Sequence, residues 1–429
     1  MMAGARVVRF SRRQVIGQLA AAAGFGAAFV AEAQPAWRRL KPGAWPVVVA
    51  VPDALSIDFA QLLEGFSARE FSVDEAAFGR MLEASAVDAG RLGARVLFGL
   101  RGCRLVEGAS DPLGRTAPAL RLAEAQIDHE DFRCVIGVWV RGEGFWASPA
   151  STVPHVSYLH DQRRRVLRGQ MDRARTICNQ AASGVYKYKV GSHRNWRAEV
   201  QPGAFRQAST MAVVRTLDGG ELSVRRDRAW AFEGPELGEN IHAATPDGDV
   251  LYVAAGCQVL PGGYSADRTA PDGNWRAFRV AAGLSAAPGI SREIQGETEC
   301  VQSTDDATPS CAPPFNETLD DLAMGRGVFD YVLVSGRELR MAAEDAGRAR
   351  DAGARRLRRG SRGAEVARLQ AQLNRSRGSG EPALAESGLF DAATQRQLIF
   401  AHQLALTGGA DGILTRAEGY RLGLSGIFT

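Results

Sequence analysis

Residues 357–373 read Leu-Arg-Arg-Gly-Ser-Arg-Gly-Ala-Glu-Val-Ala-Arg-Leu-Gln-Ala-Gln-Leu, and this stretch decides the fold of the C-terminal part of the chain. Its two glycines are residues that turn a chain. After them, Val366, Leu369 and Leu373 recur at the spacing of one helix face. The stretch therefore predicts a turn followed by an amphipathic helix.

Two later stretches repeat this turn-and-helix unit. Gly388 to Asp391, followed by Thr394, predicts the cap of a second helix that carries Phe400, and Asp411 to Ile413 with Thr415 predicts a third. Three short helices of this size bury one small core, in which we expect the Leu and Phe side chains. The pattern over 357–424 resembles the three-helix peptidoglycan-binding domain of bacterial wall hydrolases and transpeptidases. The resemblance implies binding of wall glycopeptide in a shallow groove, without catalysis.

The middle of the chain has a different texture. Residues 185–190 alternate polar and apolar side chains, as a half-buried strand does, and further short runs lie at 211–216, 221–224, 251–255 and 329–334. Turn residues such as Asp218-Gly219-Gly220 separate them. Many short strands with few helices predict a β-rich sandwich or barrel-like domain.

The flanking segments complete a multidomain α+β organisation. Residues 36–165 form an αβ segment of unknown role, with predicted strands at 47–51, 95–100 and 132–140 and a helix over 72–92. The β-rich domain spans 166–336 and begins with a predicted helix at 165–177. Residues 337–356 read as a helical linker. The excess of arginines between Arg337 and Arg377 indicates either a solvated helix face or a contact with acidic wall polymer.

A histidine and a cysteine stand out in the β-rich domain. His242 lies at the end of one predicted strand, and Cys257 begins the next, with fourteen residues between them. A neighbouring imidazole can hold a cysteine as the thiolate nucleophile. Gly256 lets backbone amides approach a carbonyl oxygen, as an oxyanion hole requires.

This arrangement resembles the L,D-transpeptidase catalytic domain, whose motif is His, a spacer, then Ser/Thr-x-Gly-Cys. The resemblance implies that Cys257 attacks a peptide-stem carbonyl, that His242 takes its proton, and that the carbonyl of Ala243 orients His242. His193 and Gln258 are the predicted substrate-binding residues. The spacer is short for the family, Ala254 stands where Ser or Thr is usual, and the usual Arg or Asn after the cysteine is missing.

The cysteines can also have structural roles. Cys257 could be bridged to Cys178, or it could be a buried core thiol beside a satisfied histidine. Cys103 could pair with Cys134 if their strands are neighbours, and a local bridge between Cys300 and Cys311 is plausible, because an oxidising compartment favours disulfides.

That compartment follows from residues 1–33. Arg12-Arg13 precedes an uncharged stretch from Gly17 to Val30, and Ala31-Glu32-Ala33 is a small-x-small cleavage signal. The pattern resembles a twin-arginine export signal. We expect a periplasmic or wall protein without stable membrane insertion after cleavage, since no other stretch approaches eighteen apolar residues.

Charge and motif content exclude several classes of function. The formal net charge is +4; residues 1–33 contribute four arginines against Glu32, which leaves +1, so no nucleic-acid partner is indicated. No metal-ligand spacing, phosphate loop or dinucleotide fingerprint is present, so we expect no metal and no cofactor.

The sequence therefore predicts an exported peptidoglycan-binding protein with a cysteine acyltransferase or peptidase activity on stem peptides. The first alternative is a non-catalytic wall-binding scaffold with a degenerate transpeptidase-like domain. The second is an unrelated secreted hydrolase whose site lies in 36–165.

Overall fold

The computed structural model describes residues 69–125, 131–155, 179–194, 200–211, 213–215, 238–244, 251–252, 254–265, 270–284, 328–344, 355–377, 382–404, 412–424 and 426–428. The predicted signal at 1–33, the strands at 47–51 and 221–224, the helix at 165–177, and Cys178, Cys300 and Cys311 lie outside these ranges. Within them, no helix combines the length and apolar character needed to cross a membrane.

Fifteen strands occur in the described ranges: β1 Glu70–Asp74, β2 Arg95–Arg101, β3 Cys103–Leu105, β4 Ala119–Glu124, β5 Cys134–Val140, β6 Gly144–Ala150, β7 Asn179–Ala181, β8 Gly184–Arg194, β9 Val200–Gln207, β10 Val213–Arg215, β11 Ile241–Ala243, β12 Gln258–Leu260, β13 Val328–Ser335, β14 Arg356–Leu357 and β15 Leu414–Thr415. The α-helices there are α1 Glu75–Ala84, α2 Gly273–Ala281, α3 Gly336–Glu344, α4 Ala364–Ser376, α5 Ala392–Leu404 and α6 Arg416–Arg421.

Eight strands form one large sheet in the order β12-β11-β9-β8-β13-β2-β5-β6. Its neighbours pair antiparallel except β11 with β12 and β13 with β2, which are parallel. The sheet nearly closes on itself, because Ser151, just after β6, donates to the Val259 carbonyl of β12 at 2.9 Å and accepts from its N–H at 2.8 Å. The fold is therefore mixed α/β with a near-barrel sheet and few helices, which confirms the β-rich, barrel-like prediction.

The expected boundary between 36–165 and 166–336 does not divide this sheet. Strands β2, β5 and β6 come from the first segment, and β2 pairs with β13 of the second from Val96↔Asp330 to Arg101↔Ser335. The sequence carried a signal of this: every residue of β5, Cys-Val-Ile-Gly-Val-Trp-Val, is buried, and continuous apolar runs mark strands covered on both faces.

Both faces of the sheet are covered by apolar side chains. One core contains Leu97, Tyr188, Phe205 and Trp275, with α2 packed over it. The opposite core contains Val96 and Phe98 with Phe78 of α1, Trp139 of β5 and Phe145 of β6. Adjacent residues of β2 thus point into different cores, as strand geometry requires.

The sequence predicted a half-buried strand at β8, with its polar side chains exposed. Because both faces of the sheet are covered, this prediction is wrong at Lys187. The Lys187 Nζ lies 2.6 Å from the Asp330 Oδ1 of β13, and both side chains are buried. Asp330 Oδ2 also accepts the Gly93 N–H at 2.9 Å. Paired and hydrogen-bonded, a buried charge is tolerated, so alternation here does not indicate solvent.

Other element predictions need adjustment. The helix expected over 72–92 is α1 at 75–84, preceded by β1 and capped by Asp74, whose Oδ1 accepts the Ala77 N–H at 2.8 Å. The strand expected at 251–255 is not formed by the described residues there. The strands predicted at 95–100 and 329–334 are confirmed as β2 and β13, and the run at 132–140 contains β5.

In the C-terminal segment, α4, α5 and α6 surround an apolar cluster. Val366, Leu369 and Leu373 are buried in it, as their spacing predicted. Phe400 of α5 departs from the expectation of core packing, because it is 42% exposed. Thr415 caps α6 in a capping box with Glu418. At α5, by contrast, Asp391 Oδ1 accepts the N–H of Thr394 at 2.8 Å, so Asp391 and not Thr394 is the cap.

Residues 355–363 hold the C-terminal segment against the large sheet. The Val185 N–H of β8 donates to the Arg359 carbonyl at 3.0 Å, and the Arg362 N–H donates to the Ala86 carbonyl at 2.8 Å. Gly360 permits the close approach: its φ is 93°, and a Cβ there would lie 2.7 Å from the Cβ of Val185. An ion pair between Arg358 and Glu338 of α3 is buried in this contact.

The helical linker predicted at 337–356 is therefore not a solvated spacer in the part described. Its first half is α3, which buries Glu338 and Leu339 against the sheet, and Arg356 at its other end is buried as well. The arginines that follow anchor the C-terminal segment, because the acid that neutralises Arg358 lies on α3 and not on an external polymer.

The Glu338→Gln variant should lose stability because it leaves the Arg358 guanidinium buried without an opposite charge. We expect the free energy of unfolding, measured in urea, to fall by about 3 kcal/mol. Glu70→Gln is the matched control, since Glu70 pairs with Arg121 at 3.0 Å while both side chains are more than half exposed; it should cost less than about 1 kcal/mol. Equal losses in the two variants would contradict the buried anchor.

Candidate active site

Strands β11 and β12 bring His242 and Cys257 together. They pair in parallel with His242 opposite Val259, and the Gln258 N–H donates to the Asn240 carbonyl at 2.8 Å. Cys257, the residue just before β12, is thereby placed beside the start of β11. The chain can hold this short strand because its other edge pairs with Ser151.

The side chains of three residues, His193, His242 and Cys257, lie close together at this point. The Cys257 sulfur, one ring nitrogen of His242 and one of His193 all lie within 4.8 Å of one another. Cys257 is a free thiol and partly exposed, while His242 is buried. The bridge between Cys257 and Cys178 that the sequence left open is not formed at Cys257. Cys103 and Cys134 are also free and buried, so the bridge considered between them is not formed either.

His193 reaches the site from β8, across the intervening strand β9. Its ring stacks on that of His242 with centroids 4.1 Å apart and planes 8° from parallel. The β8–β9 register shifts between Gly191 and Ser192, directly before His193. Such bulges re-aim the side chains that follow them, which accounts for a ring from β8 lying over β11.

The carbonyl of Ala243 orients His242. It lies 2.7 Å from the His242 Nδ1, and a carbonyl only accepts, so Nδ1 carries the proton and Nε2 keeps its lone pair. Burial lowers the pKa of His242 to about 4, against the opposing effect of the bond to Ala243. The imidazole is therefore neutral near pH 7 and able to take a proton on Nε2.

The thiol is protonated in this arrangement. The Cys257 S–H donates to the Gly238 carbonyl at 3.1 Å. Burial raises the pKa of Cys257, and the nearby Glu239 carboxylate raises it further, although the backbone N–H groups of Asn240 and Cys257 oppose this. The resting site thus holds a neutral thiol beside a neutral imidazole.

Gly256 and Gln258 flank the sulfur but differ in their surroundings. Gly256 is buried directly before Cys257. The Gln258 side chain is fully buried, and its Oε1 accepts a hydrogen bond from the Tyr331 hydroxyl of β13. Since successive strand residues point to opposite faces, Gln258 lies in the core behind the sulfur and supports β12 there.

Sequence reasoning missed the polar residues behind the histidines. Asn240 lies beside His193 through its Nδ2, 3.1 Å from the His193 Nδ1, and its Oδ1 accepts the Gln207 N–H at 3.0 Å. The Tyr188 hydroxyl donates to the Glu239 carbonyl at 2.6 Å. A signal for Asn240 existed, because it precedes His242 by two residues and so shares its strand face.

Residues of the 36–165 segment reach an aromatic cluster beside Cys257. Cys257 and Phe132 both pack against a buried cluster that contains Tyr252, and the rings of Phe132 and Tyr252 are 5.0 Å apart. The Ser151 hydroxyl donates to the Tyr252 hydroxyl at 2.9 Å. Phe132 and Ser151 of the segment whose role was unknown therefore contact the same cluster against which Cys257 packs.

Two imidazoles and a thiol can also be ligands of a soft cation. Here, however, the His193 Nδ1 faces an amide N–H of Asn240, and the sulfur donates its proton to Gly238. These hydrogen bonds favour a thiol–imidazole site over a metal centre.

Comparison with protein-family models, curated proteins and solved structures gives no match for this chain. The function proposed below therefore rests on the residues and their geometry.

The burial of His242 makes the stability of the fold depend on pH. Since the pKa of His242 falls from 6.5 to about 4 on folding, the unfolded chain binds a proton between these values and the folded chain does not. Stability is then lost as the pH falls from about 7 to 4, by about 3 kcal/mol from this residue. The pKa of His193 is also lowered, chiefly by burial and then by His242 and Arg206, and acts in the same direction.

The measurement is the free energy of unfolding of the wild-type protein and of His242→Gln at about pH 7 and about pH 4. The variant should lose less stability on acidification, whatever its stability at pH 7. Identical pH dependences would show that His242 is not buried as a neutral group.

Proposed function

We propose that this chain is an exported cell-wall protein that transfers acyl groups of peptidoglycan stem peptides through a thioester on Cys257. One observation supports it above the others: a free, partly exposed thiol lies beside a neutral imidazole whose Nδ1–H is fixed on the Ala243 carbonyl. That is the arrangement of a nucleophile with an oriented base. The resemblance of the His242 and Gly256-Cys257 motif to L,D-transpeptidases supplies the substrate class.

The steps of the proposed reaction follow from the protons on Cys257 and on the His242 Nδ1 in the resting site. As the Cys257 sulfur attacks the peptide carbonyl carbon, its proton passes to His242 Nε2, and the carbonyl oxygen gains the negative charge. When the tetrahedral intermediate collapses, the C–N bond breaks and His242 returns the proton to the leaving amine. An amine or a water molecule then attacks the thioester, loses its proton to His242, and releases the sulfur, which recovers that proton.

The resting hydrogen bond constrains this scheme. Because burial and Glu239 raise the pKa of the thiol, the thiolate is formed at the moment of attack by general-base transfer and not as a standing ion pair. The attacking sulfur must also leave the Gly238 carbonyl. A substrate that supplies polar groups in place of that carbonyl would make this exchange favourable.

The C-terminal segment is proposed to bind the wall. Its three helices, α4 to α6, share one apolar cluster and leave Phe400 and Tyr420 exposed, at 42% and 63%. Exposed rings of this kind can pack on the apolar faces of sugars and peptides. Since residues 355–363 anchor this segment to the sheet, binding would hold the wall at a fixed distance from Cys257. Residues 1–33 would direct export to the periplasm.

An acylating probe tests the chemistry. A carbapenem-type or stem-peptide probe should label the wild-type protein at Cys257, and Cys257→Ala should abolish the label. His242→Gln should slow labelling by about 100-fold or more, as the loss of a general base does. Cys103→Ala is the control and should label normally, because Cys103 is buried away from the site. Label that persists in Cys257→Ala would exclude Cys257 as the nucleophile.

The second candidate is a non-catalytic scaffold. The protonated thiol held on Gly238 favours it, and so does Ala254 at the position where the family has Ser or Thr. A scaffold would leave the wild-type protein unlabelled while it still binds the wall.

Sedimentation with purified peptidoglycan tests the binding module. The full chain should sediment with sacculi, and Tyr420→Ser should weaken this binding by about tenfold, since tyrosine is enriched among the contact residues whose truncation costs more than about 1 kcal/mol. The matched control is Leu113→Ser, another exposed apolar side chain, which lies outside the C-terminal segment. Equal sedimentation of both variants would show that Tyr420 is not part of the binding surface.

A further inference from the structure

The amide of Asn240 has a fixed orientation. The backbone N–H of Gln207, on β9, points at the Asn240 side chain with an N···O distance of 3.0 Å. Only the amide oxygen can accept it, because the reversed amide would set an N–H against an N–H. Asn240 is itself buried. The NH₂ group therefore faces His193.

This orientation determines the tautomer of His193. The Asn240 Nδ2 donates to the His193 Nδ1 over 3.1 Å, so Nδ1 must hold a lone pair. A neutral imidazole then carries its proton on Nε2. Protonating Nδ1 would place two donors face to face in a buried position, which costs the free energy of an unsatisfied polar group.

The ring stacked on His193 has the opposite arrangement. His242 keeps its proton on Nδ1, donated to Ala243, and none of the described residues hydrogen-bonds to its Nε2. A second proton on Nε2 of His242 breaks no hydrogen bond, whereas one on Nδ1 of His193 breaks the bond from Asn240. With the ring centroids only 4.1 Å apart, two positive rings would repel each other strongly, so the pair accepts one proton.

The charged and titratable groups around His193 agree with this assignment. Burial is the largest effect that disfavours a positive charge on His193, and His242 of β11 and Arg206 of β9 add to it. Cys257 is the third group within 4.8 Å, and Glu239 acts on Cys257 from the residue before Asn240.

We propose that Asn240 is a positioning residue that keeps His193 as a neutral Nε2–H donor beside the sulfur and thereby reserves the transferred proton for His242. The assignment of protons rests on the hydrogen bonds alone. Its catalytic consequence rests on the proposed function. His193 would then stabilise developing negative charge as a neutral donor, while His242 alone acts as the base.

The test is Asn240→Asp, which keeps the shape and still accepts the Gln207 N–H but now also accepts from His193. In the wild-type protein, nitrogen NMR of the imidazoles should show that the Nε2–H tautomer of His193 is about tenfold or more as populated as the Nδ1–H tautomer. In Asn240→Asp, His193 should become protonated at Nδ1, and its pKa should rise because an opposite charge now faces it.

A second readout follows the sulfur. The rate of alkylation of Cys257 by iodoacetamide, measured against pH, should gain an additional ionisation in Asn240→Asp that the wild-type profile lacks. Asn274→Asp is the matched control: Asn274, on α2, donates to the Ser148 hydroxyl at 2.9 Å, so it adds the same charge away from the histidines. Thermal unfolding establishes that each variant is folded.

His193 in the Nδ1–H form in the wild-type protein would overturn the proposal, as would an unchanged His193 tautomer in a folded Asn240→Asp variant. An Asn274→Asp profile that matches that of Asn240→Asp would overturn it as well. None of these measurements uses peptidoglycan or an acylating probe. Failure of the proposed acyl transfer would therefore appear separately, as absent labelling of Cys257 with the His193 tautomer as expected.

Discussion

The site depends on two backbone hydrogen bonds between Ser151 and Val259. Strand β12 has only three residues and lies at the edge of the large sheet, where an unpaired strand would not hold its position. Pairing with β11 on one side and with Ser151 on the other encloses it. Because Cys257 directly precedes β12, the closure of the sheet fixes the sulfur beside His242.

Closure also explains why the first half of the chain cannot be separated from the second. Ser151 follows β6, and β6 is attached through β5 and β2 to β13. The strand that follows Cys257, β12, is therefore held by a residue about a hundred positions earlier in the chain. In this arrangement, the described part of 36–165 belongs to the scaffold of the site, and its Phe132 and Ser151 contact the cluster against which Cys257 packs.

Local patterns in the sequence predicted local features well. Spacing alone located the helix face of Val366, Leu369 and Leu373, and the motif around His242 and Cys257 named two residues whose side chains meet. Contacts between distant strands were not predictable in this way. The stacking of His193 on His242 requires three neighbouring strands and a bulge at Gly191, none of which leaves a periodic signal. Lys187 was misjudged for a related reason, since its partner Asp330 lies on a strand far along the chain.

Burial at the site works against charge, and this shapes any chemistry it performs. A thiolate and an imidazolium are each disfavoured in a dry environment, yet moving one proton between adjacent groups creates both charges at once and lets them attract. The cost of separation is then lowest when the proton travels the shortest path. With His193 occupied at Nδ1 by Asn240, and His242 anchored at Nδ1 by Ala243, the lone pair of His242 Nε2 is the available destination. In the proposed reaction, a bound acyl donor would supply the electrophile that makes this proton transfer productive.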